Sequence, residues 1–144
     1  MFIDIRSRLG DPVIRELIGM SVFPDEGEPE RTIEQYASGS DQLRIMGYES
    51  QGQVVGFVGF EVDVDGLMTL RHIAVLPDSR GAGFGRGMIL ELLHQFEPRA
   101  IVAETDEDAV HFYRSIGFRI ESLGESYPGV ERFRCLYDAL EQAD

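Results

Sequence analysis

A chain of 144 residues that is 43% hydrophobic carries enough apolar surface for one core, which excludes a disordered chain and fits a single domain over residues 1–144. Its formal net charge of −13 repels nucleic acid and anionic membrane, leaving solubility or a cationic partner as what the acidity serves. All 13 basic residues are arginine, so a lysine Schiff base and a Walker lysine are both excluded. Residues 2–6 pattern as a short strand. Asp11 and Pro12 are suited to cap and open a helix through Met20. An acidic loop holding Asp25, Glu26 and Glu28 leads to Pro29 and a second helix, ending near Ser38. Residues 42–50 and 53–64 alternate as strands about a turn near Ser50–Gly52. Asp65-Gly66 signals a hairpin, and 67–76 is the next strand. From Phe84, apolar residues at 84, 88, 89, 92, 93 and 96 have helical spacing up to Pro98. Residues 100–105 read as a strand, 106–117 as a helix closed by Gly117, and 118–123 and 131–140 as the last strands. This order, β-α-α-β-β-β-α-β-α-β-β, predicts one α/β (α+β) domain: a mixed, mostly antiparallel sheet of six or seven strands, with about four helices on both faces.

Compartment and cofactor classes narrow further. No apolar run approaches the roughly 20 residues that span a bilayer. The start, "MFIDIRSRLGDP", carries charges where a signal peptide would be apolar, so the expected location is cytoplasmic, with no membrane partner. Cys135 is the only cysteine; it alternates with Phe133 and Tyr137 and reads as a buried core thiol. His94 and His111 lack metal-ligand spacing, and no metal site is expected.

The stretch "PDSRGAGFGRGM", residues 77–88, joins a strand to a helix through alternate glycines with an arginine before them. The first N–H groups of a helix lack internal partners, and the dipole makes that end positive. An anion is therefore welcome, glycines let backbone approach it, and Arg80 can add a charge-assisted hydrogen bond. The dinucleotide fingerprint fails in every register, as does the Walker pattern. What remains is Arg80, Gly81, Ala82, Gly83, Phe84, Gly85. Alone, it is either a phosphate cradle or a glycine-rich turn.

A second motif follows. Val75 and Pro77, then Arg80 to Gly85 and Met88, then Ala109, Phe112, Tyr113, Gly117 and Phe118 together resemble the GNAT superfamily of acyl-CoA N-acyltransferases. The resemblance is specific over residues 70–120, and the element order extends it over nearly the whole chain. It implies acetyl-CoA, or a close acyl-CoA, as co-substrate. The pyrophosphate would rest on Gly81, Ala82, Gly83, Phe84, Gly85 and Arg86, with Arg80 nearby. The pantetheine arm would pair with Ile73, Ala74 and Val75, where a backbone N–H faces the thioester oxygen. It implies that a primary amine, as a small molecule or a peptide, is acetylated by direct attack in a ternary complex.

The catalytic residues follow from the resemblance residue by residue. Tyr113 occupies the position of the general acid for the leaving thiolate; read alone, it is a core residue with a wet hydroxyl. The positions where some relatives carry a base hold Thr69 and Arg71 here. His72 is adjacent, though strand alternation sends it to the opposite sheet face unless a bulge intervenes. Glu104, at the end of a strand, is the other candidate base, and a water relay is the third route. Glu61 is placed to bind a cationic acceptor. Asp106 stands where many relatives have Asn, and capping a helix from Glu107 suits it better than cofactor contact. Phe23 and Tyr36 either line the acceptor pocket or pack. The missing fourth-strand base leaves a noncatalytic acyl-CoA sensor as the alternative, and an interaction protein with a mere turn as the third reading. The last strands offer a route to a homodimer.

Overall fold

The structure, a computed structural model, describes residues 1–22, 27–39 and 42–140. Its strands are β1 (Phe2–Asp4), β2 (Leu43–Ser50), β3 (Gln53–Val62), β4 (Leu67–Val75), β5 (Ala100–Asp106), β6 (Arg119–Tyr127) and β7 (Val130–Asp138). Its α-helices are α1 (Pro12–Ser21), α2 (Glu28–Ser38), α3 (Phe84–Phe96) and α4 (Val110–Ile116), and short 3-10 turns occupy Arg6–Arg8 and Pro77–Ser79. The seven strands hydrogen-bond in the order β1-β2-β3-β4-β5-β7-β6. The β1–β2, β2–β3, β5–β7 and β6–β7 ladders are antiparallel, and β4–β5 is parallel. The predicted class, a mixed and mostly antiparallel sheet with four α-helices, is the class observed.

Packing divides the chain into two units: Met1–Glu61 with Arg71–Phe96, and Val62–Leu70 with Glu97–Asp144. Strand β4 gives its first half to the second unit and its second half to the first.

In the first unit, β2 and β3 turn at Gln51 and Gly52, both left-handed at φ 53° and 79°. Two such residues make the tight hairpin whose twist matches the strands it joins. Helix α1 buries Ile14, Leu17 and Ile18, the i, i+3, i+4 stripe of a helix with one covered face. Helix α2 buries Thr32 and Tyr36, four residues apart. These stripes meet Ile5, Ile45, Val54 and Phe57 in one apolar cluster, with Ala74 and Leu76 at its margin. The opposite face of β3 receives α3. Phe60 meets Phe96 edge-on at 5.1 Å, and an added Cβ at Gly56 would lie 3.1 Å from Met88 Cε and from the Ala74 carbonyl oxygen. Within this unit β3 is thus covered on both faces, which is why its burial is nearly continuous from Val54 to Phe60.

In the second unit, Leu67–Thr69 of β4 runs parallel to Ala100–Val102 of β5, and β7 pairs with β5 on one side and β6 on the other. The carboxylate of Asp63 accepts the N–H groups of Asp65 and Leu67 at 2.9 and 3.0 Å, fixing the turn that starts β4. Cys135 is fully buried on β7, and burial pushes its thiol pKa up, so it stays protonated and inert.

Two local expectations need correction. The first strand stops at Asp4, because Asp4 accepts the Arg6 N–H at 2.8 Å and Arg6–Arg8 tightens into a 3-10 turn. Helix α4 begins at Val110 rather than 106, since Asp106 still pairs with Arg132 at the end of β5. Its carboxylate accepts the Asp108 N–H at 3.0 Å and its carbonyl the Ala109 N–H at 3.3 Å. Asp106 therefore organises the turn before the helix instead of capping the helix itself.

Gly56→Val tests the α3–β3 contact. The branched side chain must displace a backbone carbonyl as well as Met88, and overpacking of this kind costs about 1–3 kcal/mol. Equilibrium urea unfolding should show a lower midpoint; an unchanged midpoint would contradict the packing described.

Candidate functional site

Strand β4 ends where Leu76 donates its N–H to the Val55 carbonyl at 2.8 Å. Pro77 then sets a 3-10 turn, in which Ser79 and Arg80 donate back to Leu76 and Pro77 at 2.9 and 3.3 Å. The Arg80 Nε donates to the Val75 carbonyl at 3.1 Å, tying the loop to the strand end. Gly81 and Gly83 follow with φ of 84° and 85°, a conformation that costs other residues about 1–2 kcal/mol. A Cβ on either would meet nothing within 4 Å, so neither glycine is there to relieve crowding within the protein. Their absent side chains leave bare, exposed backbone.

The helix then starts. The Gly87 N–H donates to the Gly83 carbonyl at 2.9 Å, so Phe84, Gly85 and Arg86 have no helical acceptor for their N–H groups. Phe84 packs its ring on Tyr48 at 5.5 Å, and Met88, Ile89 and Leu92 anchor the helix from its buried face. A rigid helix thus presents free donors and its positive dipole end next to a bare loop, with the Arg80 and Arg86 side chains exposed beside it. Open space at two left-handed glycines and a row of unspent N–H groups fit a pyrophosphate.

The predicted cofactor residues Ile73, Ala74, Val75 and Arg80–Arg86 form one contiguous stretch of the first unit, with His72 just before it. Tyr113 and Glu104 belong to the second unit, on α4 and β5. Tyr113 is buried, with Phe112 and Phe118 edge-on to its ring at 5.1 and 5.2 Å. Burial, reinforced by Cys135, pushes its phenol well above the usual value of 10. Glu104 is exposed, opposite Arg134 in the β5–β7 register.

His72 keeps the alternation of its strand. Its face is that of Ala74 and Leu76, which pack on the α1–α2 cluster. There its Nδ1 lies 2.6 Å from the hydroxyl of Tyr36 on α2, with the two rings edge-on at 5.5 Å. Burial, helped by the Arg71 charge and opposed by Glu28, holds the imidazole below its ordinary 6.5. Tyr36 is itself buried, and it packs. Sequence reasoning did not pair it with His72; the one legible signal was a glycine at 59, a position that the tyrosine hydroxyl fills.

Glu61, the residue expected to bind a cationic acceptor, is paired, as are two carboxylates of α2. Glu61 accepts from Arg71 at 3.1 Å, Glu28 from Arg31 at 2.6 Å and Glu30 from Arg15 at 3.4 Å. These pairs are half-exposed and each contributes little to stability. Phe23, Asp25 and Glu26 lie outside the described residues. Among the described residues no helix is long and apolar enough to cross a membrane, and no cluster of three His, Cys, Asp or Glu side chains could hold a metal ion.

Known structures share this fold. A structure described as a putative acetyltransferase of the GNAT family from Desulfovibrio desulfuricans is 19% identical, with a TM-score of 0.79 over 96% of this chain and 98% of that one. A chimera built on the spermidine N-acetyltransferase of Vibrio cholerae is 18% identical, with a TM-score of 0.79 over 100% and 99%. A GNAT family acetyltransferase from Elizabethkingia anophelis with acetyl-CoA bound is 15% identical, with a TM-score of 0.68 over 90% and 92%. At these identities the likeness is one of fold. Residues 41–120 match the family model for an acetyltransferase (GNAT) domain, a span that includes β2 to α4 and the whole glycine loop, and the chain belongs to the GNAT acetyltransferase family.

Proposed function

We propose that this acetyltransferase moves an acetyl group from acetyl-CoA to the primary amine of a small cationic molecule, by direct attack within a ternary complex. The observation that carries this reading is the loop and helix start at 80–86. Two left-handed glycines with open space over them and three N–H groups without helical acceptors suit the pyrophosphate of a coenzyme A thioester. Ile73–Val75 would run beside the acyl arm, and a backbone N–H there would stabilise the oxygen that gains charge during attack.

Attack needs a neutral amine, whereas a free alkyl amine titrates near 10.4. One proton must therefore leave before the nitrogen bonds the acyl carbon and a second as the carbon–sulfur bond breaks. We assign the second proton to Glu104, directly or through water, because its carboxylate is exposed to solvent, and the first to bulk water as the amine binds. The sulfur leaves as a thiolate, and Tyr113 is assigned to it. A phenol pushed above 10 stays protonated at neutral pH, but full transfer to a thiolate of pKa about 8.5 is uphill. Tyr113 thus serves chiefly as a hydrogen-bond donor to the departing sulfur. The preference for a cation rests on the net charge of −13, not on Glu28, Glu30 or Glu61, whose charges are paired with arginines.

Release of free thiol from acetyl-CoA over a panel of polyamines, aminoglycosides and peptides tests the reaction. At least one amine should give saturable thiol release with an acetylated product; release that is the same without amine would contradict the proposal. Gly83→Ala tests the cradle. It forces a side chain into left-handed backbone at a cost of about 1–2 kcal/mol, so the protein should stay folded by circular dichroism. Its acetyl-CoA affinity should fall by roughly tenfold or more, as loss of about one hydrogen bond to a charged group implies. Equal affinity in a folded variant would remove the cradle assignment. Tyr113→Phe should reduce turnover by about 10²-fold, as removal of one fixed hydrogen-bond donor to developing charge does, with acetyl-CoA affinity unchanged. Full turnover would return Tyr113 to the core.

A further inference from the structure

We infer that Tyr36 fixes His72 as a neutral Nε2–H tautomer, making His72 a hydrogen-bond donor toward the amine substrate and not the base that removes its proton. The inference rests on the acetyl-transfer reading for the identity of the substrate; the tautomer stands on geometry alone. Tyr36 is buried, at 1% exposure, and a buried O–H needs an acceptor. Its partner among the described residues is His72 Nδ1 at 2.6 Å. If Nδ1 carried the ring proton and donated it, the Tyr36 proton would be left inside without an acceptor. The hydroxyl therefore donates and Nδ1 accepts. A neutral imidazole with an occupied Nδ1 lone pair carries its proton on Nε2.

The backbone is built for this contact. A Cβ at position 59 would lie 1.8 Å from the Tyr36 hydroxyl oxygen, so β3 makes room for that hydroxyl with a glycine. Gly59, Tyr36 and His72 thus form a three-element device across β3, α2 and β4. The half-buried ring sits one residue before Ile73–Val75, the stretch assigned to the acyl arm. The charged groups around the pair are Arg71 from β4, Glu61 from β3 and Glu28 from α2. Arg71 is bonded to Glu61 and Glu28 to Arg31, which leaves no dedicated carboxylate to draw a proton onto the imidazole. A neutral ring with Nε2–H can donate to a carbonyl, a hydroxyl or a water on the substrate, and it has no free lone pair with which to accept the amine proton. Tyr36 is the positioning residue and His72 the contact.

Ring-nitrogen NMR of histidine-labelled protein without ligand is the direct test, followed by the variants Tyr36→Phe, Gly59→Ala, His72→Gln and His72→Ala. The expected spectrum at pH 7 shows His72 with a protonated Nε2 and an unprotonated Nδ1. Tyr36→Phe removes the bond that favours the neutral ring, so the His72 titration should move upward toward 6.5 and the tautomers should mix; Gly59→Ala, by displacing Tyr36, should do the same. A protonated Nδ1, or a tautomer indifferent to Tyr36→Phe, overturns the inference, and Tyr36→Phe decides it should Gly59→Ala fail to fold. With the best amine of the panel, His72→Gln keeps an N–H near the Nε2 position and should retain kcat/KM within about tenfold, whereas His72→Ala should lose about 10²-fold, as removal of one fixed donor does. Acetyl-CoA affinity should stay constant in both. Equal losses of 10²–10⁴ in the two variants would mark His72 as the base instead. Failure of the wild type to bind acetyl-CoA or to acetylate any amine would sink the acetyl-transfer reading and its substrate, while the ligand-free spectrum would still decide the tautomer.

Discussion

The backbone at the start of α3 is the constraint on which the site depends. A helix cannot satisfy its own first N–H groups, so those of Phe84, Gly85 and Arg86 must look outward. Most proteins cap such a start with a side-chain oxygen. This chain instead places two left-handed glycines before it, which supply no cap and leave the donors available. The arrangement is held from behind: Met88, Ile89 and Leu92 are fully buried, Phe84 meets Tyr48, and Arg80 ties the loop to Val75. The donors are free and yet cannot wander, as anion recognition requires.

The same strand leads from the residues proposed to bind substrate into the proposed cradle. Val75 ends β4 at the loop, Ile73–Val75 precede it, and His72 comes just before them, turned to the α1–α2 face. Two glycines on β3 set the depth of packing on its two sides. Gly56 admits α3 close to the strand, and Gly59 admits the Tyr36 hydroxyl. Each replaces a side chain where a neighbour comes within ordinary contact distance, so the positions of α3 and α2 are fixed by what β3 omits.

Much of this was legible in the sequence because its signals are local. The helix at Phe84 showed in the spacing of Phe84, Met88, Ile89 and Leu92, and the hairpins in Gly52 and Asp65-Gly66. Val75-x-Pro77 followed by Arg80 to Gly85, with Ala109 to Phe118 later, carried the family. What stayed hidden was non-local or conformational. Helix α4 starts late because Asp106 is held in a ladder with Arg132, a pairing no window of sequence around Asp106 contains. The Tyr36–His72 bond joins residues 36 apart, and whether Tyr36 packed or lined a pocket depended on a glycine on a third element. Glu61 read in sequence as a carboxylate open to a cationic acceptor, but it, like Glu28 and Glu30, has an arginine partner in space.

The central claim is that residues 80–86 hold the pyrophosphate of a coenzyme A thioester. Calorimetric titration of the wild-type protein with acetyl-CoA, and separately with AMP, tests it most directly. The account predicts saturable one-site binding of acetyl-CoA that is much tighter than that of AMP, since the bare backbone engages the pyrophosphate and not the adenine. No acetyl-CoA binding, or equal affinity for AMP, would contradict it.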